Sequence, residues 1–191
     1  MRSRGIQDPK KFLLATEIGG IFFIVFVGAA LHFTYEWSGH NVVVGAFSAV
    51  NESVWEHLKL PFFPALMLAT VQYAFLRKSY PNFFIGKAIG VFSVPVMIVV
   101  GFYGYEAIFH SSNLAYDIGL FVASVIAGQI ISYKAVTKYG DKAPVNFLPI
   151  AALIAYAILF IAFTFSPPEL EIFRDPLTGE FGIHAHHHHD H

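Results

Sequence analysis

Cysteine is absent from the 191 residues. That excludes disulfides, thiolate nucleophiles, iron–sulfur clusters and cysteine zinc sites together, and leaves the redox compartment open. Charge is scarce as well. Asp, Glu, Lys and Arg make up 13% of the chain, against roughly 25% in a soluble domain that must clothe its surface. The formal net charge is −1 with histidine neutral, so there is no basic face of the kind that binds nucleic acid. Also missing are a GxSxG elbow, an HExxH pair, a phosphate loop and a dinucleotide fingerprint.

What is present is apolar length. Hydrophobic residues reach 55%, with 21 Phe and 9 Tyr, and they gather into five runs that cover roughly 30 Å of hydrocarbon at about 1.5 Å per residue. These are Phe12–Phe33, Val54–Leu76, Phe83–Phe109, Leu114–Tyr133 and Val145–Phe165. The expected fold is therefore an all-α, polytopic transmembrane bundle over residues 1–165, followed by a polar tail over 166–191. A cleaved signal peptide ending near Val27-Gly28-Ala29 is the rival reading of the first run, and Glu17 inside that run argues against it.

Cations fix the expected orientation, because short loops rich in Lys and Arg stay on the cytoplasmic side. With the N-terminus inside, Arg2, Arg4, Lys10, Lys11, Arg77, Lys78, Lys87, Lys134, Lys138 and Lys142 fall at cytoplasmic ends, and only Lys59 and Arg174 fall outside. The C-terminus is then extracytoplasmic. Between the first two runs, Val42–Val50 is apolar but too short to cross, and reads as a re-entrant or interfacial segment. Asn51 after it reads as a helix N-cap, with Glu52 in the first turn. In the tail, Asp175-Pro176-Leu177-Thr178-Gly179 reads as the turn of a small hairpin.

Within the runs, Gly86 and Gly90 form a GxxxG and Gly28-Ala29-Ala30 a small patch, both suited to close helix packing within one chain or between copies. Pro61, Pro64 and Pro95 interrupt the hydrogen bonding of the second and third runs. A bilayer is the implied environment, and a second copy or a partner membrane subunit remains open.

All ten histidines fall on the expected outer side. Three pairs have the spacing i, i+4, which shares a helix face if the backbone is helical: Glu36/His40, Glu52/Glu56 and Glu106/His110, with His57 beside the second. Imidazole and carboxylate in that arrangement suit a divalent metal such as zinc, nickel or manganese. The competing reading makes them wet rim residues, with Glu56 and Lys59 an ordinary i, i+3 ion pair. Glu17 and Asp117 lie deeper and suggest an intramembrane polar path, or else local pairing of Glu17 with Lys10 or Lys11 and of Asp117 with Tyr116 or Ser111. With Gln72 they would line the path of a small oligomeric transporter or channel; an accessory or scaffold subunit is the third possibility. The terminal His184, His186, His187, His188, His189 and His191 form a tract suited to loose metal capture.

The segments His32-Phe33-Thr34-Tyr35-Glu36-Trp37-Ser38-Gly39, Asn51-Glu52-Ser53-Val54-Trp55-Glu56-His57-Leu58-Lys59 and Arg174-Asp175-Pro176-Leu177-Thr178-Gly179 resemble a family of small uncharacterised prokaryotic membrane proteins. The resemblance implies a multi-span protein of a prokaryotic plasma membrane and carries no activity with it.

Overall fold

A computed structural model describes residues 8–111, 113–141 and 145–183. Among the described residues there are six α-helices: α1 (Pro9–Trp37), α2 (Val42–Gly45), α3 (Val54–Leu76), α4 (Phe83–Phe109), α5 (Leu114–Tyr139) and α6 (Phe147–Phe165). A 3₁₀ turn, Glu171–Phe173, comes after them. Every helix except α2 is long and apolar enough to cross a bilayer. The all-helical, five-span expectation holds.

Local sequence sets the ends. Asp8 caps α1 by accepting from the Lys11 backbone N–H at 3.0 Å, with Pro9 in the first helical position, where its missing N–H costs nothing. That same N–H holds the Asp8 carboxyl below the usual carboxylate range. The N-cap of α3 is Ser53, whose hydroxyl accepts from the Glu56 N–H. Asn51 stands two residues earlier, its side-chain oxygen accepting from the Ser53 N–H at 2.9 Å, which corrects the expectation that Asn51 is the cap. Pro61, Pro64 and Pro95 lie inside helices that continue through them.

The helices run up and down, so the chain has two ends. The segment 38–53, the turn between α4 and α5, and residues 166–183 meet at the end that carries the histidines. The turn between α3 and α4 and the start of α6 meet at the other, the lysine end. There Asn82 and Asn146 stitch two connections: the Asn82 side chain accepts from Val145 N–H at 3.0 Å, Asn146 accepts from Phe84 N–H at 3.1 Å, and Asn146 donates to the Pro81 carbonyl.

Helix α3 is deeply buried, packed against α1, α4 and α6, while α5 closes the bundle against α4 and α1. The α4/α5 crossing depends on glycine. A Cβ on Gly86 would collide with the Val136 backbone, and one on Gly90 would lie 2.5 Å from Ser132 Cβ and 2.8 Å from the Gly128 carbonyl. The GxxxG is therefore spent inside the chain. Gly28 does the same for α1 and α3: its missing side chain makes room for the Leu60 carbonyl, the acceptor whose helical donor Pro64 lacks. Outside this core, Leu14, Ile18, Phe22, Phe26, Val100 and Ile158 stand exposed on long helices, an apolar surface suited to lipid contact.

At the histidine end, α2 is one turn, and it leaves and returns on the same side of the bundle, as a non-crossing segment must. The tail hairpin reduces to one antiparallel bridge, Arg174 with Phe181, closed by Asp175 N–H to the Glu180 carbonyl at 2.9 Å.

The glycine crossing gives a direct test. Gly86→Ala will lower the thermal unfolding midpoint in detergent by an amount equivalent to roughly 1–3 kcal/mol, the usual cost of overpacking. Gly104→Ala, where nothing lies within 4 Å, will not.

Candidate metal centre

Helix α3 begins with two polar faces, and the residues of Asn51–Lys59 divide between them. One face turns inward. Lys59 is 0% exposed and Glu56 2%, and their side chains pair at 2.5 Å. Lys59 also donates to the Gly45 carbonyl at 2.9 Å and to Thr164 Oγ1 at 2.8 Å. Glu56 accepts from the Val50 N–H at 3.1 Å and the Thr164 hydroxyl at 3.0 Å. This pair supplies partners for backbone groups of residues 45–50 that would otherwise be orphaned beside hydrocarbon. Glu56 is thus committed to Lys59, the i, i+3 alternative among the sequence readings.

The other face turns toward α1. His57 Nε2 lies 3.1 Å from His32 Nε2, and Glu52 Oε2 lies 3.6 Å from His32 Nε2 and 3.5 Å from His57 Nε2. His57 Nδ1 lies 2.9 Å from the Ser53 carbonyl. A carbonyl only accepts, so the proton is on Nδ1 and the Nε2 lone pair faces the other two groups, the tautomer a metal requires. With its proton on Nδ1, His57 Nε2 can only accept, so in the metal-free arrangement His32 Nε2 donates to it; to bind an ion His32 would give up that proton or carry it on Nδ1, which is buried without a hydrogen-bond partner. Ligands about 2.05 Å from a tetrahedral ion stand about 3.3 Å apart. The three separations of 3.1, 3.5 and 3.6 Å bracket that value.

His32, Glu52 and His57 are the group of potential metal ligands that converges among the described residues. Asp117, in the first turn of α5, is near enough to interact electrostatically with His57, and Glu36 with His32. A cleft of about 130 Å³ adjoins the cluster, lined among others by His32, Glu36, His40, Asn51 and Glu52.

The i, i+4 pairs proposed from sequence each straddle a helix end, so none shares a helical face. Helix α1 stops at Trp37, and His40 takes φ 62°. Glu52 precedes the Ser53 cap. His110 is the left-handed C-cap of α4, with φ 51° and its N–H on the Glu106 carbonyl. The structure brings Glu52 and His57 together, places Glu36 and His40 at the adjoining cleft, and leaves Glu106 and His110 exposed at the end of α4. The histidines His184, His186, His187, His188, His189 and His191 lie outside the described residues. His32 is the potential ligand that local spacing does not reveal. Its partner is 25 residues away on another helix, and no local period reports such a contact.

The deeper carboxylates sit at opposite ends. Glu17 is 2% exposed and pairs with Lys87, 1% exposed, at 2.9 and 3.1 Å, so its counter-ion is on α4 in place of Lys10 or Lys11. Ser132 Oγ donates to Glu17 at 2.9 Å, and Gln129 donates to the Glu17 carbonyl at 3.3 Å. Gln72 donates to Thr16 one residue before, and its own oxygen is buried without a partner.

With this geometry in hand, sequence comparison adds one result: a family model described as a family of unknown function, DUF6512, matches residues 1–183. The chain belongs to the DUF6512 family. No curated protein and no solved structure matches it. The match to DUF6512 covers His32, Glu52, His57 and both buried ion pairs and ends where the histidine tract begins.

Removing one partner of a buried pair strands a charge, whereas removing both does not. In this DUF6512 protein Lys87→Met will cost roughly 3–5 kcal/mol of stability, and adding Glu17→Gln will restore at least half, read from thermal unfolding in detergent.

Proposed function

We propose that this DUF6512 protein is a multi-pass protein of a prokaryotic plasma membrane that binds one divalent cation, with zinc the best match, at His32, Glu52 and His57. The observation that carries the reading is the set of 3.1, 3.5 and 3.6 Å separations among three ligand atoms drawn from α1, the loop after α2 and α3. Two imidazoles and a carboxylate are borderline-hard donors, which suit zinc and also accept nickel or manganese. The second shell supports it, since the Ser53 carbonyl orients His57 as outer-shell acceptors orient metal-bound imidazoles.

Three protein ligands leave one position of a tetrahedral ion for water. A cation there lowers the pKa of that water toward neutrality and can polarise a carbonyl or phosphoryl oxygen. The half-buried Asp117 and the more exposed Glu36 supply negative charge around the site, which raises its preference for a dication. Orientation comes from the cation distribution: the lysine end lies in the cytoplasm and the cluster opens to the outer side.

Protein with the six tail histidines replaced will retain one equivalent of zinc per chain after desalting, and His57→Ala in that background will retain less than about a tenth. Binding needs unprotonated imidazole, so occupancy will fall on acidification. A tail-substituted protein free of metal at pH 7.5 would remove the reading.

A further inference from the structure

The cleft of about 130 Å³ beside the cluster carries charge of one sign. His32 and Glu52, two of the three potential ligands, form part of its wall, and Glu36 forms another part. His32 and Glu36 are four residues apart inside α1, so they share a helix face and stand about 6 Å apart along its axis. Glu56 is tied to Lys59. Glu36, by contrast, is exposed, and its side chain makes no hydrogen bond or ion pair with a described residue. None of the described residues lining the cleft is Lys or Arg.

A dication held by Glu52 and two neutral imidazoles keeps a net positive charge, and the Glu36 carboxylate sets a negative charge about one helical turn away. The cleft between them is matched to a ligand that carries the opposite charges in the same order. Phe33 and Tyr35 add aromatic wall, the kind of surface on which proteins hold organic ammonium groups. Depth points the same way. Trp37, 72% exposed, stacks on Phe33 at 5.7 Å, and an exposed aromatic pair at the end of a crossing helix marks the level of lipid headgroups. We propose that this cleft binds a small zwitterion of the aminoethyl phosphate kind, with a phosphate oxygen in the open position on the metal and the primary ammonium on Glu36.

This rests on the metal-binding reading above and names the ligand class for the same site. Both ends of the ligand are needed. A phosphate without a cation brings its charge up to Glu36 and is repelled, whereas an amine without an anionic oxygen has nothing to give the metal. One helical turn between the two charges suits a spacer of two carbons. The cleft volume fits that spacer and its ammonium and excludes a bulkier body, so anything larger that is attached to the phosphate must lie outside. The same two charges occur in a free solute and in the headgroup of a bilayer lipid, and the cleft recognises what the two share.

Cobalt(II) is a suitable probe ion, because its visible band changes when a ligand enters the open position. The full chain with its six tail histidines changed to Ala is loaded with one equivalent, then titrated with aminoethyl phosphate and with ethyl phosphate, which lacks only the ammonium. The first will bind about 10-fold or more tighter, the worth of one charge-assisted contact. Glu36→Gln, with its cobalt band intact, will reduce that preference to less than about twofold. Equal affinities in the parent chain overturn the zwitterion site, as does a preference that survives in Glu36→Gln, and both leave the cluster standing. A chain that keeps no cobalt after desalting removes the metal reading itself, and this site with it. Nanodiscs with and without a lipid bearing the aminoethyl phosphate headgroup then identify the source. A band shifted by that lipid with no solute added assigns the ligand to the membrane, and an unshifted band assigns it to solution.

Discussion

A lysine ammonium with almost no water around it must find acceptors, and Lys59 finds three, the Glu56 carboxylate, the Gly45 carbonyl and the Thr164 hydroxyl. Those contacts reach three separate pieces of chain, α2, α3 and α6. Glu56 adds a fourth through the Val50 N–H. The short segment between α1 and α3 is thereby fastened to the bundle, and the direction in which residues 51–53 enter α3 is set. That direction decides where Glu52 and His57 point. In a medium without water the pair is less a source of net stability than a means of fixing one arrangement, since two isolated charges would cost far more than any alternative packing returns.

The same logic operates at the lysine end with different parts. Glu17 and Lys87 join α1 to α4, Ser132 and Gln129 bring in α5, and the glycines at 86, 90 and 128 let the backbones come close enough for these short bonds. Lipid offers little drive for helices to associate, so small residues and satisfied polar groups carry the packing. The consequence is a division of labour: both inward pairs are complete in themselves, while His32 on α1, Glu52 in the loop before α3 and His57 on α3 bring three potential ligand atoms together.

Much of this is legible in the sequence. The bounds of α3 and α4 coincide with the apolar runs, even though α3 opens with Glu56, His57 and Lys59 and α4 carries Lys87 and Glu106. Helix α5 extends to Tyr139 and α1 from Pro9 to Trp37, beyond the apolar stretches. A helix does not stop where hydrocarbon does, and Lys134 and Lys138 have stems long enough to continue it into the interface. Ser53 as the cap is encoded in the Ser-x-x-Glu spacing of Ser53 and Glu56; Asn51 is an equally good capping type, and residue type alone does not separate the two. The pairing of Glu17 with Lys87, 70 positions apart, and the meeting of His32 with His57 are not legible, since both depend on which helices become neighbours. Spacing within one segment reports a helix face, and the three i, i+4 pairs fail that premise because each lies across a helix end.

The metal centre stands or falls on whether those three atoms share an ion. Zinc K-edge absorption on the tail-substituted protein, loaded with one equivalent, measures this without interference from the tract. Two imidazole nitrogens and at least one oxygen at about 2.0–2.2 Å, with one nitrogen lost in His32→Ala, are predicted. A shell of water oxygens alone, unchanged in His32→Ala, would contradict it.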